Sequence, residues 1–257
     1  GALRIALAYS DPAPGDMPLP VPTPARPRDG GYLLSGRKSL VLSGLLAQKY
    51  IVSARVEDAS SDEISLFLVD AGAAGLQRQA LPLHDGTWAE ELVLGDVQVA
   101  ADALLGEPGK GLPALRAGLT HGIVAQGAEL VGAMEKVIEL TAEYLKTRQQ
   151  FGVPIGSFQA LQHRIADMAC EMETARSMLH AALAAMEGAD DAARQRTLSA
   201  AKALIARAAK FVCGQGIQLH GGIGVTEEYV IGHYFKRAVV AELQLGSSDR
   251  HEAACMA

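Results

Sequence analysis

The sequence predicts an α+β protein, with a small antiparallel β-barrel or sandwich domain followed by an up-and-down four-helix-bundle domain. Two changes along the chain predict it. From about residue 3 to 105 the apolar residues come in short runs punctuated by Pro, Gly, Asp and Ser, which is the pattern of half-buried strands. From Lys110 onward they recur at spacings of three and four along Ala- and Leu-rich stretches, which is the pattern of packed helices. At 257 residues, the chain is long enough to give each half its own core.

In the first half the runs are "LRIALAY", "YLLSGRKSLVLSG", "KYIVSARV", "ISLFLVD", "LQRQALPL" and "EELVLGDVQV". Their lengths suit strands, and turn formers separate them. The stretch "PAPGDMPLPVPTPARPRDGG" carries seven prolines in residues 12 to 27. Proline has no N–H to give a ladder, so this segment is expected to be a loop or an extended surface strap. The change of period falls at "LLGEPGKG", which predicts a β domain over residues 1–107 and a helical domain over residues 108–257. Helices are expected at residues 112–147, 157–187, 190–219 and 227–241.

Composition narrows the function. The net charge of −6, without a Lys/Arg cluster, argues against nucleic acid, whose affinity comes from neutralising phosphates. Half the residues are apolar, yet no apolar run approaches the roughly eighteen residues that a membrane span needs. Cys170, Cys213 and Cys255 are odd in number and lack paired spacing, which suits reduced thiols in a cytoplasmic protein. The seven histidines show no metal-ligand spacing, so no metal site is expected. The opening "GALRIALAYSDP" reads as a strand and lacks the apolar core of a secretory signal.

Two segments carry more than connection requires. The turn in "RQQFGVPIG" needs only Gly152 and Pro154 for its geometry, yet Arg148, Gln149, Gln150 and Phe151 crowd it. A guanidinium suits diphosphate oxygens, and an aromatic face suits a purine. In "QLHGGIG", Gly221 and Gly222 allow a close backbone approach beside Gln218, although a lone Gly-Gly also reads as a helix C-cap. Gln159, Gln162, His163 and Asp167 are assigned to helix packing and capping.

Together, "YLKTRQQFGVPIGSFQALQHRIADM" and "GQGIQLHGGIGVTEEYVIGHYFKRA" resemble the two C-terminal signatures of the acyl-CoA dehydrogenase family. The resemblance is strong over residues 110–250 and weaker before, and the β-then-helix order agrees with the family's middle and C-terminal domains. The family's N-terminal helical domain is not covered and is expected to be absent from this sequence. The resemblance implies that Arg148, Gln150, Phe151, Gln218, Gly221 and Gly222 bind the adenosine diphosphate part of FAD held by a neighbouring subunit.

The same resemblance exposes what is missing. The family desaturates acyl-CoA thioesters with a Glu as base, usually just before a Gly-Thr-Ser stretch. Here that stretch is "LQLGSSDRH", with Leu245 at the Glu position. A minority place the Glu on the first long helix, one residue before an Arg, and those two positions hold Gly122 and Ile123. In the β domain the family's Thr-Glu-Pro loop corresponds to Ser10, Asp11 and Pro12, and the following Gly-Ser-Asp run to "APGD". The Trp-Ile-Thr stretch that meets the flavin ring corresponds to Leu40, Val41 and Leu42, an apolar triplet suited to a strand but without side-chain donors.

Groups that would serve a neighbour's cofactor persist, and groups that would serve this chain's own are replaced. The resemblance therefore implies a non-catalytic subunit of an FAD-dependent acyl-CoA dehydrogenase, paired as α2β2 with a homologous catalytic subunit that holds the acyl-CoA. Paired subunits of this kind act on bulky thioesters, including steroid side chains. Two alternatives stand beside it: a self-sufficient homotetramer with a displaced acid (Asp249, Glu242 or Glu252), or a flavin-free scaffold derived from the family.

Overall fold

The computed structural model describes residues 1–11, 23–57, 63–188 and 190–256. The chain divides into two compact units, Gly1–Leu119 and Thr120–Ala257.

The first unit is built on strands β1 (Ile5–Ala8), β2 (Pro24–Arg28), β3 (Gly31–Leu42), β4 (Lys49–Val56), β5 (Ser65–Asp70), β6 (Leu76–Pro82) and β7 (Trp88–Ala100). They form a seven-stranded sheet in the order β1-β4-β2-β3-β7-β6, with β5 also on β4. Each of the six apolar runs is a strand. The expectation of an antiparallel sheet needs correction, because β1 and β2 both run parallel to β4, against Lys49–Val52 and Arg55–Val56 respectively. An isolated apolar run carries no record of its partner's direction, which the connections decide.

A second correction concerns the proline-rich segment, whose end forms β2 rather than a loop. Towards β4 this segment contributes carbonyls, which prolines do not impair: the Arg55 N–H donates to Thr23 O (2.9 Å) and the Glu57 N–H to Ala25 O (3.1 Å). The rest of the call, residues 12–22, lies outside the described residues. Leu34, Tyr50, Val52, Phe67, Leu92 and Val97 fill the core of this unit.

Helix α1 (Leu112–Thr147) starts in the first unit, where Leu112, Leu115 and Leu119 pack with Ile64 and Leu66. Helices α2 (Gln159–Met186), α3 (Asp191–His220) and α4 (Ile231–Leu243) follow, each within a few residues of its expected span. Asp190 caps α3 by accepting from the Ala192 and Ala193 N–H groups at 3.0 and 3.1 Å. A further helix, α5 (Ser248–Met256), had no sequence signal, since "SDRHEAACM" is too short and polar to display a period.

The core of the second unit is formed by Leu130, Met134, Val137, Met168, Ala175, Leu198, Ile205 and Val212. Small residues on α3, among them Ala201, Ala208, Ala209 and Gly216, let neighbouring helices come close. Gly216 is required there, because a Cβ would stand 2.7 Å from Val137 Cγ1. Among the described residues no helix is long and apolar enough to cross a membrane.

Candidate functional site

All six residues singled out for nucleotide contact lie in the second unit, at the C-terminal ends of α1 and α3. Where α1 ends, the chain forms a two-residue hairpin between β8 (Gln149–Gln150) and β9 (Val153–Pro154). Phe151 and Gly152 sit at its tip with φ of 55° and 81°, the positive pair that suits the right-handed twist of a tight hairpin. Asn-Gly is the usual solution there, and an aromatic residue at positive φ is strained. Phe151 is nevertheless 92% exposed, with its ring meeting only the edge of Phe158, centroids 6.0 Å apart. Burial therefore does not explain its presence.

Arg148 anchors the base of the hairpin with its backbone. Its N–H donates to Tyr144 O and its carbonyl accepts from the Ile155 N–H, both at 2.8 Å. Its side chain is exposed and makes no hydrogen bond or ion pair among the described residues. The Gln150 amide turns back to Gln149 O at 2.7 Å. Of the residues assigned to packing and capping, Gln162 ties α2 to the preceding turn by donating to Gly156 O at 2.8 Å, but it does not cap the helix, whose N-cap Phe158 receives no side-chain bond. Gln159, His163 and Asp167 are exposed and make no side-chain bond among the described residues, which corrects that assignment.

At the other turn Gly221 ends α3 with φ 63°, its N–H donating to Gln218 O and Ile217 O. The glycine pair is thus a C-cap as well as a candidate contact. A Cβ on Gly221 or Gly222 would meet nothing within 4 Å, whereas one on Gly224 would stand 2.6 Å from Ile217 O. The chain itself therefore needs Gly224 for space and leaves open room over Gly222. Gln218 is exposed beside it.

The two turns are brought together by residues that the motif reading passed over. The Tyr144 hydroxyl donates to His220 O at 3.2 Å, and the Tyr144 ring stacks on the His220 ring with centroids 4.4 Å apart and 27° between planes. The Tyr229 ring also meets His220, tilted by 46° with centroids 5.0 Å apart. A histidine directly before a glycine pair, on the buried face of a helix, was the signal available in the sequence.

Gly122 and Leu245, the two positions where a base was sought, face each other. A Cβ on Gly122 would lie 3.3 Å from Leu245 Cδ1. Leu245 has a left-handed φ of 60° in the loop after α4, and its carbonyl accepts from His251 Nε2 at 2.9 Å. Gln126 Nε2 donates to Gln244 Oε1 at 2.9 Å, while Lys202 donates to Ala241 O and Glu242 O at 2.7 and 3.2 Å. Burial lowers the Lys202 pKa from 10.5 to about 8, with Arg237 adding to the effect and Glu242 opposing it. The loop is thus firmly held, with hydrocarbon at its tip.

The displaced acids are engaged elsewhere. Arg207 holds Asp249 at 2.9 Å and also Glu252, and Glu242 accepts from the Ser248 N–H at 3.2 Å with Lys210 3.7 Å away.

In the first unit Asp11 is consumed inside the fold. Its Oδ2 lies 3.1 Å from Lys38 Nζ, and Thr23 donates to its Oδ1 at 2.5 Å. Lys38 is fully buried, which lowers its pKa to about 8 against the attraction of Asp11. Leu40 does not lie flat in its strand as the apolar triplet suggested: it has φ 51°, sits at a register shift between Lys38 and Val41, and is 54% exposed. Val41 is buried. Pro12 and the "APGD" run lie outside the described residues. A cleft of about 870 Å³ in this unit is lined by Lys49, Asp70, Gly75, Asp96 and Asp102 among others, and includes none of these positions.

A mixed-sheet unit thus leads into long packed helices, and the turns that end α1 and α3 meet through Tyr144 and His220. The chain belongs to the acyl-CoA dehydrogenase family: the middle domain matches residues 6–97 and the C-terminal domain residues 109–256. The short-chain-specific acyl-CoA dehydrogenase of Megasphaera elsdenii is 31% identical over 229 residues, covering 86% of this chain and 58% of the relative. CarC, a subunit of the caffeyl-CoA reductase-Etf complex of Acetobacterium woodii, is 26% identical over 254 residues, covering 97% and 66%.

Among solved structures, an acyl-CoA dehydrogenase from Geobacillus kaustophilus superposes with a TM-score of 0.92 at 27% identity, covering 99% of this chain and 68% of that one. PigA with FAD and proline does so with 0.91 at 26%, covering 99% and 67%. The chain spans about three fifths of the length of the first curated relatives it matches.

Proposed function

We propose that the chain is the non-catalytic subunit of a heteromeric acyl-CoA dehydrogenase, lending Arg148, Gln150, Phe151, Gln218, Gly221 and Gly222 to the FAD of a homologous catalytic subunit. A separation along one helix carries this reading. Gly122, beside Leu245, and Tyr144, beside the hairpin, are both on α1, 22 residues and therefore about 33 Å apart at a rise of about 1.5 Å per residue. That exceeds what one dinucleotide spans, so the hairpin serves a nucleotide other than one whose ring lies at Leu245. A neighbouring subunit is the natural owner.

The donor set fits the diphosphate and adenine end of FAD: a guanidinium without a protein partner, an exposed aromatic ring and open room over Gly222. It does not fit the ring end. Leu40 and Leu42 offer no side-chain donor, Val41 is buried, and Asp11 is committed to Lys38. Bound FAD would supply the hydride acceptor. This chain's part is to hold the cofactor's far end and exclude water there, while a carboxylate of the catalytic subunit takes the α-proton.

The relative that is itself a subunit of a multi-protein complex supports heteromeric assembly as a mode open to this fold. The family resemblance suggests an α2β2 arrangement with acyl-CoA in the catalytic subunit, and three free cysteines suit a cytoplasmic setting.

The test is to purify the full chain alone and with a homologous subunit that carries the Glu, then record flavin absorbance and acyl-CoA oxidation with an artificial electron acceptor. Flavin and turnover are expected only from the pair. Turnover by the lone chain would overturn the proposal.

A further inference from the structure

His220 is 3% exposed, and its Nδ1 lies 2.7 Å from Gly216 O. A carbonyl only accepts, so Nδ1 carries the proton and Nε2 is left a bare acceptor. Nε2 is inaccessible to solvent and has no partner among the described residues. Such a group is costly in a folded interior, and a phenyl ring would fill the slot without it. The Nδ1–H bond accounts for the imidazole: it fixes the ring's rotation, with Tyr144 stacked on it at 4.4 Å and Tyr229 tilted against it at 5.0 Å.

The consequence is geometric. Tyr144 is the residue whose carbonyl receives the Arg148 N–H at the base of the hairpin. Its hydroxyl holds the carbonyl of His220, the residue immediately before Gly221. Tyr229 lies just beyond the Gly221–Val225 turn. The hydroxyl and the stack thus tie together two turns that are 76 residues apart in sequence at their point of contact.

We propose that the Tyr144–His220–Tyr229 cluster pins the Arg148 hairpin and the Gly221–Gly222 turn into one register, with His220 as a positioning residue that touches no nucleotide itself. The proposal deepens the nucleotide-binding reading and takes its functional meaning from it. Burial keeps the His220 ring neutral by holding its pKa below the usual histidine value, against the opposing bond to Gly216 O.

The test is amide hydrogen exchange on the full chain, comparing the wild type with Tyr144→Phe and His220→Phe. Tyr144→Phe deletes one oxygen, and His220→Phe keeps a ring while removing the tether and the bare Nε2. Each variant is expected to quicken exchange about fivefold or more at both residues 149–155 and residues 221–226, leaving the α2 amides near Met172 and Leu179 unchanged. His220→Phe should do so without lowering the urea midpoint.

Quickening confined to one turn, or a uniform rise with a lowered midpoint, would mean that His220 is only a core residue, and the pin would be discarded. FAD retention by the assembled pair is a separate readout. Coupled exchange with unchanged FAD retention would uphold the pin and remove the nucleotide reading. Uncoupled exchange with FAD retention still dependent on Arg148 would do the reverse.

Discussion

The two ends of the α1 bundle have been treated in opposite ways. Near Tyr144 the chain keeps features that folding does not reward: an aromatic residue at φ 55°, 92% exposed, and a guanidinium with no partner among the described residues. Near Gly122 the chain turns inward: leucine methyls lie against a glycine, Gln126 and Lys202 bond neighbouring groups, and the strain at Leu245, with φ 60°, is held inside the fold. Both ends carry a residue at positive φ, so exposure rather than strain separates them: Phe151 is 92% exposed, whereas the side chain of Leu245 packs over Gly122. Under the proposed function, the exposed end is the chain's working surface.

The sharpest way to break the contrast is at the glycine turn. Gly224→Ala forces a Cβ against Ile217 O and is expected to cost about 2–3 kcal/mol, read as a lower urea midpoint with unchanged slope. Gly222→Ala places its methyl in open room and should change stability by no more than about 0.5 kcal/mol, while weakening FAD retention in the pair. Equal stability losses would mean that both glycines serve only the fold.

Lys202 tests the opposite end. Its pKa falls from 10.5 unfolded to about 8 folded, so between those values the unfolded chain binds more protons. Stability should therefore rise as pH increases from about 8 towards 10.5, and the penalty is fully present below about 8. The urea midpoint should climb across this window in the wild type and stay flatter in Lys202→Met. Parallel curves would show that the cation is not desolvated there.

Phe151→Asn gives the smallest shift but a telling sign. Asparagine tolerates the left-handed conformation, so the lone chain should gain about 1 kcal/mol while the assembled pair loses FAD affinity. A loss of stability would make the phenyl ring structural.

Much of this was legible in the sequence, for definable reasons. The long helices announce themselves through their period, and the Arg-Phe and Gly-Gly turns through residue types that connection does not require. The parallel pairing of β1 and β2 with β4 was hidden because strand direction is not written in a short apolar run. Asp11 read as a loop residue because its partner, Lys38, is 27 positions away, and burial of the pair is a tertiary fact. The convergence of Gly122 and Leu245 could be sought only by assuming a fold, whereas His220 was overlooked because the glycines beside it drew the reading.

The most direct measurement is FAD affinity in the assembled pair carrying Arg148→Ala in this chain. The side chain is exposed and unpartnered, so the lone variant should unfold at the same urea concentration as the wild type. Loss of a charge-assisted contact to the diphosphate should weaken FAD binding about tenfold or more. Unchanged affinity, with the pair intact, would contradict the claim that this chain completes its neighbour's cofactor site.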